Sequence, residues 1–212
     1  MKYEAVIFDL DGVLCHTDHY HYKAWHKIAM DLELHFDEDL NNRLRGVGRT
    51  ESLEIILEAN GKEMSPEEKN YYTNEKNNHY QAMLESMTPD DIDPDVIKTL
   101  TAISNLSIKT AIGSSSKNAK LIMEKAALNR YFDAISDGTN ITKPKPDPEV
   151  FLKASEFLGV KPDNCLVVED AKAGLLAGKN ANMDSAAIGS AVHFGLATYN
   201  LEKLSDLLQY LE

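Results

Sequence analysis

Three short apolar runs stand out along the chain. They are Glu4-Ala5-Val6-Ile7-Phe8, Ile108-Lys109-Thr110-Ala111-Ile112-Gly113 and Cys165-Leu166-Val167-Val168. Runs this short, bounded by polar or glycine-bearing segments, read as buried strands. The first breaks off into Asp9-Leu10-Asp11-Gly12, the second into Ser114-Ser115-Ser116 and the third into Glu169-Asp170, and each is followed by a helical pattern. Strands alternating with helices predict an α/β fold with a Rossmann-like, doubly wound parallel sheet, whose ligand crevice lies at the carboxyl ends of the strands.

The stretch between the first and second strands has helical periodicity throughout. Tyr22, Trp25, Ala29 and Leu32 share one helical face, and Leu53, Ile56 and Leu57 another, the latter after Thr50 as a candidate N-cap and before a stop at Asn60-Gly61. Ser65-Pro66-Glu67-Glu68 combines a capping box with proline at the first helical position and opens a helix carrying Tyr72, Lys76, Tyr80 and Met83. The pattern predicts a small helical-bundle cap over residues 15–92, inserted after the first strand of a catalytic core made of 1–14 and 93–212, with hinges near 13–17 and 88–93. The core resumes at the cap-and-proline start Asp93-Pro94, with Val96, Ile97, Leu100 and Ile103 as a buried stripe. A later helix opens after Asp147-Pro148-Glu149, with Val150, Phe151, Ala154 and Leu158 facing inward.

Composition is that of a packed globular chain, with 43% hydrophobic and 26% charged residues. The formal net charge of -12 disfavours nucleic acid and anionic membranes, which call for a basic face. A small anionic substrate remains compatible, because a few focused cations in a cleft suffice to hold a phosphate. No apolar stretch approaches the roughly 20 residues of a membrane span, and Asp9 and Asp11 interrupt any signal-peptide pattern. A cytoplasmic monomer is expected, with Cys15 and Cys165 as free thiols.

The strand-end residues carry the chemistry. Asp9 and Asp11 leave the same turn, and two adjacent carboxylates repel unless a cation compensates. Glu169 and Asp170 add hard oxygen ligands suited to Mg²⁺, Ser114 offers a hydroxyl and neighbouring N–H groups to phosphate, and Lys143 sits on the proline-stiffened Thr142-Lys143-Pro144-Lys145-Pro146 loop. Singly, an Asp-x-Asp is also a turn, Ser114 a helix cap and Lys143 a solvated lysine. Together they describe a phosphate and metal site.

In this order and at these strand ends, Asp9-Leu10-Asp11-Gly12-Val13, Ser114, Lys143 and Glu169-Asp170 resemble the four motifs of the haloacid dehalogenase superfamily. The resemblance implies Asp9 as the nucleophile that attacks phosphorus, Asp11 as general acid and base, and Ser114 and Lys143 as stabilisers of the transferring phosphoryl group. It further implies Mg²⁺ held by Asp9, the Asp11 carbonyl and Asp170, with Glu169 close by. Members that cleave carbon-halogen or carbon-phosphorus bonds lack the second Asp, so Asp11 points to phosphate esters. Thr17, His21, Trp25, Gly46-Val47-Gly48-Arg49 with Ser52, Lys76-Asn77 and Ser114-Ser115-Ser116-Lys117-Asn118 are similar to the superfamily's sugar-phosphate mutases, with a local departure at Cys15-His16. That likeness implies a small phosphosugar substrate, with Arg49, Ser116, Lys117 and Asn118 on its non-transferring phosphate, and with His21 and Lys76 positioning Asp11 and the sugar. A mutase is the leading expectation and a sugar-phosphate phosphatase the alternative. A binding protein without turnover is disfavoured because every motif retains its reactive residues.

Overall fold

The computed structural model describes residues 2–44 and 47–211. The chain divides into two units, Met1–His16 with Thr88–Glu212, and Thr17–Met87. The second unit is shorter than the expected 15–92, because the proline-started 3-10 turn Pro89–Asp91 and its Thr88 cap fold with the first.

The first unit is built on six parallel strands, β1 (Ala5–Phe8), β2 (Lys109–Gly113), β3 (Ala134–Ser136), β4 (Cys165–Glu169), β5 (Asp184–Ala187) and β6 (Tyr199–Asn200). Their order is β3-β2-β1-β4-β5-β6. β1 is therefore the turning point, pairing Ala5 with Lys109 on one side and with Cys165 on the other. Strand order reverses at β1, and a ligand crevice in such a sheet lies outside the carboxyl ends at that reversal. Asp9, Ser114 and Asp170, each just beyond its strand's last residue, are thereby brought to one end of the central three strands.

The second unit contains α1 (Asp18–Asp31), α2 (Glu38–Asn42), α3 (Arg49–Ala59) and α4 (Pro66–Leu84). Trp25, Ile28, Leu53, Ile56 and Leu57 form its buried core with Phe36, Leu40 and Leu44. The α4 capping box is present, with the Ser65 hydroxyl accepting from the Glu68 N–H at 3.2 Å and the Glu68 carboxylate accepting from the Ser65 N–H at 2.8 Å. The expected Thr50 cap is not. Gly48 is extended at the N-cap of α3, so the helix opens at Arg49 and Thr50 lies exposed within its first turn.

The first unit's helices are α5 (Pro94–Ser104), α6 (Ala119–Lys125), α7 (Glu149–Leu158) and α8 (Lys172–Asn180). Val150, Phe151, Ala154 and Leu158 of α7 pack with Ile7, Ala111 and Val167 of the sheet, so α7 covers the central strands. Among the described residues no helix is long and apolar enough to cross a membrane.

Candidate active site

The turn after β1 is locked by its own backbone. Leu14 and Cys15 donate to the Leu10 carbonyl, and Gly12 donates to Cys15 at 2.7 Å. Asp9 extends the sheet ladder, its N–H donating to Val168 at 2.9 Å. Gly12 has a φ of +91°, and a Cβ there would overlap the Asp170 carboxylate. Glycine at this position satisfies both the backbone conformation and the close approach of the acid. Asp11, two residues beyond Asp9, is half-buried in the same turn.

Asp9, Glu169 and Asp170 converge so that one carboxylate oxygen of each lies within 4.8 Å of the others. Asp9 is 7% and Glu169 1% exposed. Three clustered carboxylates are a donor set for a hard cation, since each contributes an anionic oxygen. Glu169 Oε2 accepts from the Asp170 and Ala171 N–H groups at 3.0 and 3.1 Å. At Gly174, in the first turn of α8, a Cβ would overlap Glu169, so the absence of a side chain there makes room for the acid.

The lysine among these acids is Lys145 and not Lys143. Lys145 is 3% exposed, and its ammonium donates at 2.5 Å to both Asp9 and Glu169. Burial alone would lower its pKa, but the two facing carboxylates overcome that and hold it charged. Burial also pushes the Glu169 carboxyl up to about 7, against the opposing pull of Lys145. Lys143 instead has a side chain 71% exposed, 3.7 Å from Asp147. The expectation for Lys143 is thus corrected by two positions along the same loop.

The β2 end forms a chain of short turns. Buried Ser114 donates its N–H to Ser136 at 3.1 Å, and its hydroxyl accepts from the Ser116 N–H, whose own hydroxyl accepts from Asn118. Accepting through oxygen leaves a hydroxyl its hydrogen to offer a ligand. Ser115 links this loop to the lysine, its hydroxyl accepting from the Lys145 N–H at 3.3 Å. Lys117 is exposed and Asn118 is buried just before α6.

In the other unit, Thr17 is buried at the N-cap of α1, where its carbonyl accepts from Tyr20 and His21. The buried Lys76 ammonium lies 2.7 Å from His21 Nδ1 and over the rings of Trp25 and Tyr80. Burial, then the Lys76 and Arg49 charges, drives the His21 pKa well down, so His21 is the neutral acceptor of that bond. Arg49, half-buried, donates to Asn77 at 2.7 Å. Ser52 is buried in α3 and Val47 is half-buried before it, while Gly46 lies outside the described residues. His21, Trp25 and Lys76 are thus brought together, and Arg49 is joined to Asn77.

Two acids near the site have no place among the expected site residues. Asp137, fully buried after β3, closes a turn by accepting from the Thr139 N–H and hydroxyl. Glu149 opens α7 and reaches back to the lysine loop. For Glu149 the sequence signal is its place beside Asp147-Pro148 at a helix start. For Asp137 it is a polar residue ending the short run Ala134-Ile135-Ser136.

Known proteins resemble this chain along most of its length. The sequence model of the haloacid dehalogenase-like hydrolases matches residues 3–182. The chain is 41% identical over 206 residues to a β-phosphoglucomutase of Bacillus subtilis, covering 96% of this chain and 91% of that protein. It is 33% identical over 184 residues to a phosphorylated carbohydrates phosphatase of Thermotoga maritima, covering 85% and 82%. Among solved structures, a β-phosphoglucomutase from Clostridium difficile superposes with a TM-score of 0.92 at 37% identity, covering 98% of this chain and 95% of that one.

Proposed function

The chain belongs to the haloacid dehalogenase-like hydrolase family, and from that premise we propose that it is a β-phosphoglucomutase, interconverting β-D-glucose 1-phosphate and glucose 6-phosphate. The likeness to the Bacillus subtilis enzyme along nearly the whole length of both chains carries this reading. Asp9 attacks the 1-phosphate of bound glucose 1,6-bisphosphate, and the bond from phosphorus to the sugar oxygen breaks as glucose 6-phosphate is released and an aspartyl phosphate forms. Asp11 gives its proton to the departing oxygen, and then removes one from the 6-hydroxyl of an incoming β-glucose 1-phosphate as that hydroxyl attacks the phosphorylated Asp9 and re-forms the bisphosphate. Glucose 1,6-bisphosphate is the intermediate. Lys145 grips one oxygen of Asp9 and so fixes the rotation of the nucleophile. Ser114 turns its hydroxyl hydrogen to the transferring phosphoryl group.

Mg²⁺ fits the carboxylate cluster; Asp9, Asp170 and the Asp11 carbonyl would hold it, with Glu169 behind, and it would supply charge neutralisation between the carboxylates and the incoming phosphate. On the cap, Arg49 is a guanidinium suited to two hydrogen bonds with a phosphate, and His21 and Lys76 form a preassembled polar pair. We assign these, with Thr17, Trp25, Ser52, Val47 and the Ser115–Asn118 loop, to binding of the phosphosugar.

A second reading, a sugar-phosphate phosphatase, is favoured by the likeness to the Thermotoga maritima phosphatase. One assay separates them. With β-glucose 1-phosphate, catalytic glucose 1,6-bisphosphate and Mg²⁺, the wild type should form glucose 6-phosphate faster than it releases inorganic phosphate, and dominant phosphate release would move the assignment to phosphatase. Asp9→Asn should remain folded, form no acid-stable aspartyl phosphate by mass spectrometry and show no turnover.

A further inference from the structure

We propose that Glu149 is a positioning residue for phosphoryl transfer: it braces the loop from which Lys145 reaches Asp9 and Glu169. The proposal rests on the reading of Asp9 as nucleophile. One Glu149 oxygen accepts three hydrogen bonds, from the Thr142 N–H, the Thr142 hydroxyl and the Lys143 N–H, each at 2.8 Å. Its other oxygen lies 3.2 Å from the Lys153 ammonium, one turn along α7, and Lys153 in turn donates to the Asn140 carbonyl. The helix thus holds the incoming half of the loop at residues 140, 142 and 143. The outgoing half is held where the Asp147 carboxylate accepts from the Glu149 N–H at 3.0 Å and the Pro146 carbonyl accepts from Asn180 at 3.1 Å. Lys145 lies between the two anchored halves.

Ordinary helix capping does not account for this arrangement. A capping box returns the third helical residue's side chain to the N-cap N–H, but the N-cap of α7 is Pro148, which has no N–H, and Glu149 is the first helical residue. Its bonds instead span the segment that carries the buried lysine. Two backbone N–H groups and a hydroxyl hold the Glu149 carboxyl down at about 2, so the brace keeps its charge at any working pH.

The test compares Glu149→Gln, Glu149→Ala and a control, Glu156→Gln, an exposed change on the same helix. Each full-length, Mg²⁺-loaded protein is assayed for kcat and KM with β-glucose 1-phosphate. The Lys145 ammonium is followed by ¹⁵N NMR of lysine-labelled protein. Loss of a supporting shell around a reactive group typically costs about 10- to 100-fold in activity. We expect kcat to fall by that order in both Glu149 variants, with KM within about threefold, the signature of an interaction expressed in the transition state. The Lys145 resonance should shift or broaden, and Glu156→Gln should match the wild type in all three readouts. Glu149→Gln keeps the side-chain shape and so protects the comparison should Glu149→Ala fold poorly. Wild-type kcat in Glu149→Gln, or a loss that tracks the folded fraction with the Lys145 resonance unmoved, overturns the proposal. Failure of the wild type to phosphorylate Asp9 would instead overturn the functional reading, while the NMR comparison would still decide the brace.

Discussion

An ammonium removed from water costs several kcal/mol unless its partners recover that energy, and breaking a buried pair by deleting one partner typically costs about 3–5 kcal/mol. Lys145 is held between two carboxylates in such a site. Lys145→Ala should therefore abolish mutase turnover and, in metal-free protein, lower the unfolding free energy in urea by that order, because Asp9 and Glu169 are left uncompensated. Lys143→Ala removes only an exposed pair with Asp147, a class worth about 0–1 kcal/mol, and should leave activity within about fivefold by the same measure of energy. The contrast also explains what could be read in advance. Asp9, Glu169 and Asp170 each follow an apolar run, and the end of a strand is a local signal. Lys143 and Lys145 both precede a proline in one five-residue stretch. Nothing local separates them; the choice is made by contacts distant in sequence, with Ser115, Asp9 and Glu169.

Among the elements, α7 does the most to place the site. Its fully buried Phe151 presses on β2, so that a Cβ at Gly113 would lie 2.7 Å from two ring carbons, and the Lys145 ammonium sits 4.7 Å from the centre of the same ring. Gly113→Ala should cost about 1–3 kcal/mol through overpacking. Phe151→Ala should cost about 3–5 kcal/mol and also depress kcat, since the wall beneath the lysine is gone; urea titration alongside the mutase assay checks both. β1, β2 and β4 were legible because their four- and five-residue runs are apolar and broken by polar ends. β3, β5 and β6 were not, being Ala134–Ser136, Asp184–Ala187 and Tyr199–Asn200. Such short segments of small or polar residues become strands because a neighbour supplies the ladder, as β4 does for β5. The Thr50 cap failed for a related reason: Gly48 stops the helix by its backbone conformation, with no side chain to announce it.

For the molecule as a whole, a net charge of -12 includes three acids crowded at one point of the sheet, and a cation bound there stabilises the native state by mass action. At a hundred times its dissociation constant, Mg²⁺ should add about 2.7 kcal/mol. Thermal scans should show a higher Tm with Mg²⁺ than with a chelator, chelation should remove turnover, and Asp170→Asn should shrink the Mg²⁺-dependent rise in Tm; equal Tm values would count against the metal site. The position of β1 has a separate consequence, in the order of events during synthesis. It leaves the ribosome well before its partners, the strands at residues 109–112 and 165–168. At about 5–20 residues per second, the central strand waits roughly ten seconds or longer before its second neighbour exists. The whole of Thr17–Met87 emerges in that interval, so the nascent chain has a helical unit available to fold while the most apolar strand of the sheet is still unpaired.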